Sequence, residues 1–368
     1  MYSKISLRRE SSTKLINLQW LRFFAALMVL LYHASVYLQM ARQSDFAVAF
    51  IPSWFGAVGV ALFFALSGNL MASSMMKTSA PRFLLHRVGR IYPAFFLVTA
   101  LAVAASQFLP LGVALDLHAL SLFPYGASSY PLGVEWTLVF EIAFYVFVFL
   151  LIFFGKTSQA TSFLVGWLAL ILMNNVLHPD NPAVNVFPPL ELPLVSLNVS
   201  FAIGMLLPLV FKRHVPHPIL AALISFSLFK IGQTHSVVGV RWAMGMGSAL
   251  FVLSLTQFEG CPWLRGQRSL SWLGDKLGSY SYALYLCHVP VIRTLYATFG
   301  DSRVEPLFYI AVLLSLLIAV PIGEADLRMY RAIKVRVDRS AGLVPWALTG
   351  LYITAFAGAT LLAIGTLG

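Results

Sequence analysis

Apolar runs of about twenty residues recur along the whole chain, separated by short polar stretches. The hydrocarbon core of a bilayer is about 30 Å thick, so a spanning helix needs about 20 apolar residues. The pattern therefore predicts an all-α polytopic membrane helix bundle of about 11 transmembrane helices. The predicted spans lie near residues 16–38, 53–75, 91–109, 132–154, 160–178, 192–211, 217–231, 237–257, 276–298, 304–323 and 344–366.

Composition agrees with a membrane protein. Of the 368 residues, 59% are hydrophobic and only 11% are charged, whereas a soluble domain carries about 25% charged residues. No stretch between spans is long enough for a soluble domain, and no repeat of 20–50 residues is visible. We expect a cytoplasmic tail over residues 1–14, a membrane domain over 15–335, and a linker with one extra C-terminal span over 336–368.

The net charge of +11 is unevenly distributed. With a cytoplasmic N-terminus, 19 of the 25 lysines and arginines fall in cytoplasmic segments, as the positive-inside rule requires. The excess charge therefore belongs at a membrane surface, and no nucleic-acid partner is expected. Arg22 lies within the first span, and the outer side holds Arg42, Lys230, Arg241, Arg293 and Arg303.

Two ionisable residues lie in the first predicted span. Arg22 and His33 are eleven residues apart, so both project from one face of a helix, about 16 Å apart along its axis. Ionisable groups in hydrocarbon are expensive and are functional candidates by default. His33 can exchange protons near neutral pH, or it can make a helix–helix hydrogen bond. Arg22 can bind an anion, or it can form a structural ion pair.

A pair of arginines marks the cytoplasmic start of the third predicted span. Arg87 and Arg90 are three residues apart, and residues at this spacing are neighbours on a helix. Two guanidinium groups form a good phosphate clamp. The alternative is ordinary anchoring against anionic lipid headgroups.

A carboxylate lies inside the fourth predicted span. Glu141 follows Trp136 by five residues, and helical rise places it about 13 Å from the outer end of the span. This depth overlaps that of His33, so we expect Glu141 to lie beside His33 and raise its basicity. An ion pair with Arg22 or a hydrogen bond to an aromatic residue is the structural alternative.

A polar stripe runs along a late span. Ser281, Tyr285 and His288 recur at helical spacing, and in lipid such a stripe must face protein or a water-filled cavity. Ser67-Gly68-Asn69 in the second span predicts close helix packing rather than catalysis. Cys261 falls in a predicted loop and Cys287 in a span, so we expect neither a disulfide nor a metal site.

Five of these motifs, in this order, resemble the acyltransferase-3 family of bacterial inner-membrane acyltransferases. Its exopolysaccharide-acetylating branch is closest to the form of Trp136-Thr137-Leu138-x-x-Glu141 and of Phe187-Pro188-Pro189. Two features depart from the family pattern: Asn69 replaces a large apolar residue, and Glu324-Ala325-Asp326 replaces Glu-x-Pro. The motifs are Arg22-x10-His33, Ser67-Gly68, Arg87-x-x-Arg90-Ile91-Tyr92-Pro93, Trp136-Thr137-Leu138-x-x-Glu141-x-x-Phe144-Tyr145 and Ser281-Tyr282-x-Leu284-Tyr285-Leu286-x-His288.

The resemblance implies transfer of an acyl group, usually acetyl, from cytoplasmic acetyl-CoA to a hydroxyl of a surface glycan, free or lipid-linked. It implies a bacterial inner-membrane location, a ten-helix core and no permanently bound cofactor. His33 and Glu141 would be catalytic, with His33 acting as a general base or as a transient acyl carrier. The resemblance assigns CoA binding to Arg22, Arg87 and Arg90, and acceptor binding to Trp136, Ser281, Tyr285 and His288.

A glycan transporter or proton-coupled transporter also needs intramembrane His, Glu and Arg residues. The missing internal repeat and the cytoplasmic arginine pair weigh against it. A membrane sensor or scaffold is a third alternative, weakened by the lack of a soluble signalling domain. The acceptor sugar, its hydroxyl and the oligomeric state are not readable from the sequence.

Overall fold

The computed structural model describes residues 16–113, 115–125, 129–178, 186–212, 217–233, 237–258, 268–299 and 303–367. These residues form twelve α-helices and three single-turn 3₁₀ helices, without a strand among them, so the all-α prediction is confirmed. The helices are α1 (Ile16–Arg42), α2 (Trp54–Ser74), α3 (Ala80–Ser106), α4 (Leu117–Ser121), α5 (Trp136–Phe153), α6 (Ala160–Leu177), α7 (Val199–Val210), α8 (Pro218–Gly232), α9 (Val237–Gln257), α10 (Arg268–Thr298), α11 (Val304–Arg339) and α12 (Val344–Leu367).

Seven of the described helices are long and apolar enough to cross a membrane: α1, α2, α3, α5, α6, α11 and α12. The other four predicted spans fall on α7, α8, α9 and α10. Helix α7 has twelve residues, about 18 Å of helix. It is shorter than the predicted span 192–211 because the chain first passes through the 3₁₀ turns Leu192–Leu194 and Ser196–Asn198. Residues 199–205 of α7 are all buried, so the short helix is enclosed by protein.

The long helices alternate in direction and define two ends of the bundle. We call the end where α3 begins and α11 ends the basic end, and the end where α1 and α10 finish the opposite end. Helix α11 continues to Arg339, well beyond the predicted limit near residue 323. Its 36 residues span about 54 Å. The terminal turns of α11 therefore project past a 30 Å hydrocarbon core and carry exposed arginines, among them Arg328 and Arg331.

Close helix contacts hold the centre of the bundle. Helix α1 packs on α2 and α10, and α2 packs on α7. A Cβ atom at Gly68 of α2 or at Gly204 of α7 would overlap backbone atoms of the other helix. Beside this crossing the rings of Phe64 and Phe201 stack with centroids 4.0 Å apart. The packing role predicted for Gly68 is thus confirmed, since only a residue without a side chain allows so close an approach.

Candidate functional site

A cavity of about 280 Å³ opens within the bundle near the basic end. Residues of six helices line it, which brings together side chains that lie far apart in the sequence. We call it the arginine cavity; its polar lining includes Arg22, Ser67, Arg87, Arg90, Glu141 and Tyr145. The three arginines predicted to bind an anion therefore share one site.

Arg90 has a carboxylate partner within this site. It forms an ion pair with Asp326 of α11, whose side chain is 1% exposed. The guanidinium also lies over the rings of Tyr282 and Tyr330, at 5.1 and 5.5 Å from their centroids. Asp326 belongs to the Glu324-Ala325-Asp326 segment that departs from the family pattern. In this chain the departure supplies the counter-charge of Arg90.

Arg22 and Arg87 are less satisfied. Nη2 of Arg87 donates to Oγ of Ser74 at 3.0 Å, while its Nε is buried without a partner. Within the described ranges, no hydrogen bond or ion pair is formed by Arg22. The cavity lining carries three arginines and one carboxylate, that of Glu141, so its positive charge is only partly balanced, and unbalanced charge in a low-dielectric site is costly. This pair of arginines is therefore suited to binding an anionic ligand from the cavity.

Glu141 faces the arginine cavity. Its Oε1 accepts hydrogen bonds from Ser67 Oγ at 3.2 Å and from the Tyr145 hydroxyl. The contact expected with His33 is not present among the described residues, and neither is an ion pair with Arg22. Counting residues from helix ends did not predict the neighbours of Glu141. Its partner Ser67 lies thirteen residues into α2, far from the start of that helix. Helix α5 turns its carboxylate toward α2 and the arginines.

A second cavity, of about 440 Å³, lies toward the opposite end. We call it the histidine cavity. It is lined by Tyr32, His33, Tyr37, Trp136, Arg241 and Tyr285, among others. The loop before Trp136 is held by fully buried Glu135, whose carboxylate accepts from the amides of Leu132 and Val134 at 2.6 and 3.0 Å.

Two histidines are in direct contact in the wall of this cavity. Nδ1 of His33 lies 2.8 Å from Nε2 of His288, and the rings stack with centroids 5.1 Å apart. His288 Nδ1 lies 3.1 Å from the carbonyl oxygen of Leu284. Because a carbonyl oxygen only accepts, Nδ1 of His288 carries the hydrogen, and Nε2 of the neutral ring accepts.

The contact therefore selects one tautomer of His33. Its Nδ1–H donates to His288, which leaves the lone pair of the neutral ring on Nε2. Nε2 makes no hydrogen bond within the part of the chain that the structure describes. His33 thus has a basic nitrogen available on a ring that lines the cavity.

Two of the three residues of the polar stripe on α10, Ser281 and Tyr285, line the cavities. Ser281 lines the arginine cavity and donates to the carbonyl of Gly278 at 2.8 Å. The hydroxyl of Tyr285 lies 2.7 Å from Oγ1 of Thr137. His288, which was expected to bind the acceptor, is only 1% exposed. Its side chain contacts His33.

The two cavities adjoin. Val60, Phe64 and Tyr285 line both of them. The arginines near the basic end and His33, nearer the opposite end of α1, thus line neighbouring cavities with a common wall. The spacing of Arg22 and His33 along α1 had predicted this order, and the structure places each in a different cavity.

Several features of the site escaped sequence reasoning. The His33–His288 contact, the Asp326 partner of Arg90 and the Ser67 partner of Glu141 all join distant segments. The bond from Tyr145 to Glu141 lies within one turn of α5 and fits the aromatic alternative stated for that carboxylate. No group of three or more His, Cys, Asp or Glu side chains that could hold a metal ion occurs among the described residues. Cys287 is buried, whereas Cys261 and the tail over residues 1–14 lie outside the described ranges.

Comparison with known proteins supports the resemblance. The family described as "Acyltransferase domain" matches residues 15–324. Nodulation protein 10 of Rhizobium leguminosarum bv. viciae is 31% identical over an alignment that covers 35% of this chain and 42% of that protein. The chain thus spans less than half of the length of this curated relative. No solved structure matches the chain.

The chain belongs to the acyltransferase-3 family, because the match covers most of its length. The family match and the seven long apolar helices together indicate a multi-pass membrane protein of an acyltransferase family.

Proposed function

We propose that the protein transfers an acetyl group from cytoplasmic acetyl-CoA to a hydroxyl of a cell-surface or exported polysaccharide or glycolipid. The proposed location is the bacterial inner membrane, with the N-terminus and the basic end in the cytoplasm. The observation that carries the proposal is that the arginine cavity adjoins the cavity lined by His33, with Val60, Phe64 and Tyr285 in the wall of both.

The arginine cavity suits the donor. Acetyl-CoA is anionic at one end and carries its thioester on a long flexible arm, and it enters as a substrate rather than as a resident cofactor. Arg22 and Arg87 are not ion-paired and would bind phosphate oxygens, Arg87 keeping its bond to Ser74. Arg90 is held beside them by Asp326. Guanidinium forks bind phosphates in a bidentate manner. The arm would pass Val60 and Tyr285 toward His33.

His33 has the properties of a general base. Its Nε2 would take the proton of the acceptor hydroxyl while the hydroxyl oxygen attacks the thioester carbonyl. The C–S bond then breaks, and the imidazolium returns the proton to the leaving CoA thiolate. His288 would orient His33 and keep its tautomer, and the enclosure of the half-buried His33 within the bundle would limit hydrolysis of the thioester.

The same Nε2 lone pair would serve an alternative route in which the acetyl group passes through His33. In that route Nε2 attacks the thioester, CoA leaves, and the acceptor hydroxyl then displaces the histidine. Glu141 would act in the arginine cavity, where it balances the charge of the arginines, and not as a direct partner of His33.

The histidine cavity suits a glycan acceptor. Trp136 and the neighbouring tyrosines Tyr32 and Tyr37 present flat apolar rings beside His33. Aromatic side chains combine a large apolar surface with a polar edge, and this combination matches the apolar faces and hydroxyl edges of a sugar.

The test is transfer of label by the purified full-length protein. Acetyl-CoA labelled in its acetyl group is incubated with polysaccharide from a deletion strain, and the product is identified by mass spectrometry. We expect ester-linked acetate on the glycan that is incubated with wild-type protein. Glycan isolated from the parent strain should carry the same ester. Absence of transfer with folded protein, together with unchanged polysaccharide in the deletion strain, contradicts the proposal. Movement of glycan into vesicles without acetylation would indicate the transporter instead.

A further inference from the structure

A third pocket, of about 430 Å³, lies at the opposite end of the bundle. It is formed by the ends of α1 and α10 and by the segment after α3. Its lining includes Tyr37, Met40, Arg42, Pro110, Arg293 and Tyr296. Tyr37 and Met40 also line the histidine cavity, so the two spaces adjoin. We call this space the external pocket.

The two arginines of the external pocket are incompletely satisfied. Arg42 donates through Nη2 to the carbonyls of Tyr296 and Phe299, the second at 2.8 Å, but its Nε is buried without a partner. Arg293 is half-buried and makes no hydrogen bond or ion pair within the described ranges. No carboxylate is among the lining residues of the external pocket. Among the described residues, the lining of the pocket therefore carries positive charge without a carboxylate to balance it.

The location of these arginines is unusual. The positive-inside rule disfavours arginine on the outer side, and the sequence places five basic residues there against 19 in cytoplasmic segments. Three of those five line the external pocket or the histidine cavity: Arg42, Arg241 and Arg293. Membrane orientation does not explain why outer arginines line these two spaces, whereas binding of an anion does.

We propose that Arg42 and Arg293 bind an oxyanion, a carboxylate or a phosphate, carried by the acceptor. The inference rests on the proposed function, since it assigns the acceptor of that reaction to the class of acidic glycans. Arg42 is nine residues beyond His33 on α1, about 14 Å along the axis, and Arg293 is five residues beyond His288 on α10, about 8 Å. The acetylated hydroxyl and the anionic group are then separate parts of one acceptor.

A carboxylate and a phosphate can each bind to the guanidinium groups of this pocket. A guanidinium binds carboxylate and phosphate oxygens with the same paired donors. The carboxylate would belong to an acidic sugar of a polymer, and the phosphate to the diphosphate link of a lipid-borne glycan. A positive pocket at the entrance also raises the local concentration of an anionic acceptor.

The test measures binding by purified full-length protein in a neutral detergent, using isothermal titration calorimetry. The probes are a tetramer of glucuronic acid, its carboxyl-reduced neutral counterpart, and inorganic pyrophosphate. We expect wild-type protein to bind an anionic probe about tenfold or more tightly than the neutral tetramer. Arg293→Ala should remove this difference, and Arg293→Lys should restore part of it.

Arg303→Ala is the matched control. Arg303 is exposed at the start of α11 at the same end of the bundle and is not among the lining residues of the external pocket, so its loss should leave binding unchanged. Arg293 is preferred to Arg42 for mutation because Arg42 also caps carbonyls at the end of α10. A preference for pyrophosphate indicates a diphosphate-linked acceptor, and a preference for the uronate tetramer indicates an acidic polymer.

Equal binding of neutral and anionic probes by wild-type protein overturns the inference, as does unchanged binding in Arg293→Ala. Acetyl transfer is measured on the same samples. Transfer to acidic and neutral acceptors at equal rates would contradict the inference and leave the proposed function intact. Selective binding of the anionic probes without any acetyl transfer would support the external pocket and contradict the proposed function.

Discussion

The arginine cavity and the histidine cavity differ in the kind of polar group that each one holds. The arginine cavity contains permanent charges, of which Arg90 is paired with Asp326 while Arg22 lacks a partner within the described ranges. The histidine cavity contains aromatic rings and one imidazole whose hydrogen bond to His288 leaves a basic nitrogen available.

In the proposed function, this difference separates anion binding from proton transfer. Arginines remain charged at any physiological pH and attract an anion, whereas neutral imidazole can accept and return a proton. Keeping the two about 16 Å apart on α1 prevents the guanidinium charge from opposing protonation of His33. A long substrate with an anionic head and a reactive tail could reach both.

Of the changes predicted here, loss of the base His33 should have the largest effect on acetyl transfer. His33→Ala should lower the rate of acetyl transfer by about 10²- to 10⁴-fold, because general-base catalysis contributes that much. Acetyl-CoA affinity should stay near that of wild type, since the arginine cavity is untouched. The measurements are kcat by label transfer and Kd by calorimetry.

The matched control for His33 is His118→Ala. His118 is an exposed histidine at the same end of the bundle, outside the cavity lining described above. The His118→Ala variant should transfer acetyl groups at the wild-type rate. Normal transfer by His33→Ala, at equal protein level, would rule out a catalytic role for His33.

Loss of a donor-cavity charge should act on binding. Arg22→Met removes a guanidinium while keeping much of the side-chain volume. A hydrogen bond to a charged group contributes about 1.5–3 kcal/mol, so KM for acetyl-CoA should rise about tenfold to a hundredfold with a smaller change in kcat. Arg331→Met, an exposed arginine of α11 at the basic end, is the control. An increase in KM for the acceptor rather than for acetyl-CoA would reverse the assignment of the two cavities.

Loss of His288 should lower kcat less than loss of His33 does, because His288 acts through His33. His288→Leu removes the acceptor of the His33 Nδ1–H bond and should lower kcat by about 10- to 100-fold, as loss of an orienting hydrogen bond does at other sites. His288→Gln offers an amide oxygen near the position of Nε2 and should recover part of the rate.

The pH dependence of kcat distinguishes orientation from packing at His288. If the residue positions the base, His288→Leu should shift the pH profile, while His288→Gln should keep it close to that of wild type. Equal losses in both variants with an unchanged profile would mean that His288 only fills space beside His33.

Much of the architecture was readable from local pattern. Each of the eleven predicted spans coincides with a helix, because apolar length is a property of a single segment. Helix limits were predicted less well. Helix α3 begins at Ala80 rather than near residue 91, and α11 continues to Arg339. Hydropathy records where lipid ends, whereas a helix continues into water when hydrogen bonds and packing support it.

The site was predicted in composition but not in arrangement. Arg22, Arg87 and Arg90 share a cavity, as their placement near one end had suggested. Glu141 was expected beside His33 and lies with the arginines instead. A count of residues gives depth along a helix, but the neighbour of a side chain depends on helix rotation, which close contacts such as Gly68 against α7 set.

By itself the sequence determined that this is an all-α membrane protein, which end of it is basic, and which few ionisable groups must face protein. These properties follow residue by residue from the exclusion of charge and unpaired backbone from hydrocarbon. Only the tertiary structure decided that His33 would contact His288, that Arg90 would pair with Asp326 and that Tyr285 would line two adjoining cavities. The two residues of each pair lie more than two hundred positions apart in the sequence. Helix packing, and not local sequence pattern, brings them together.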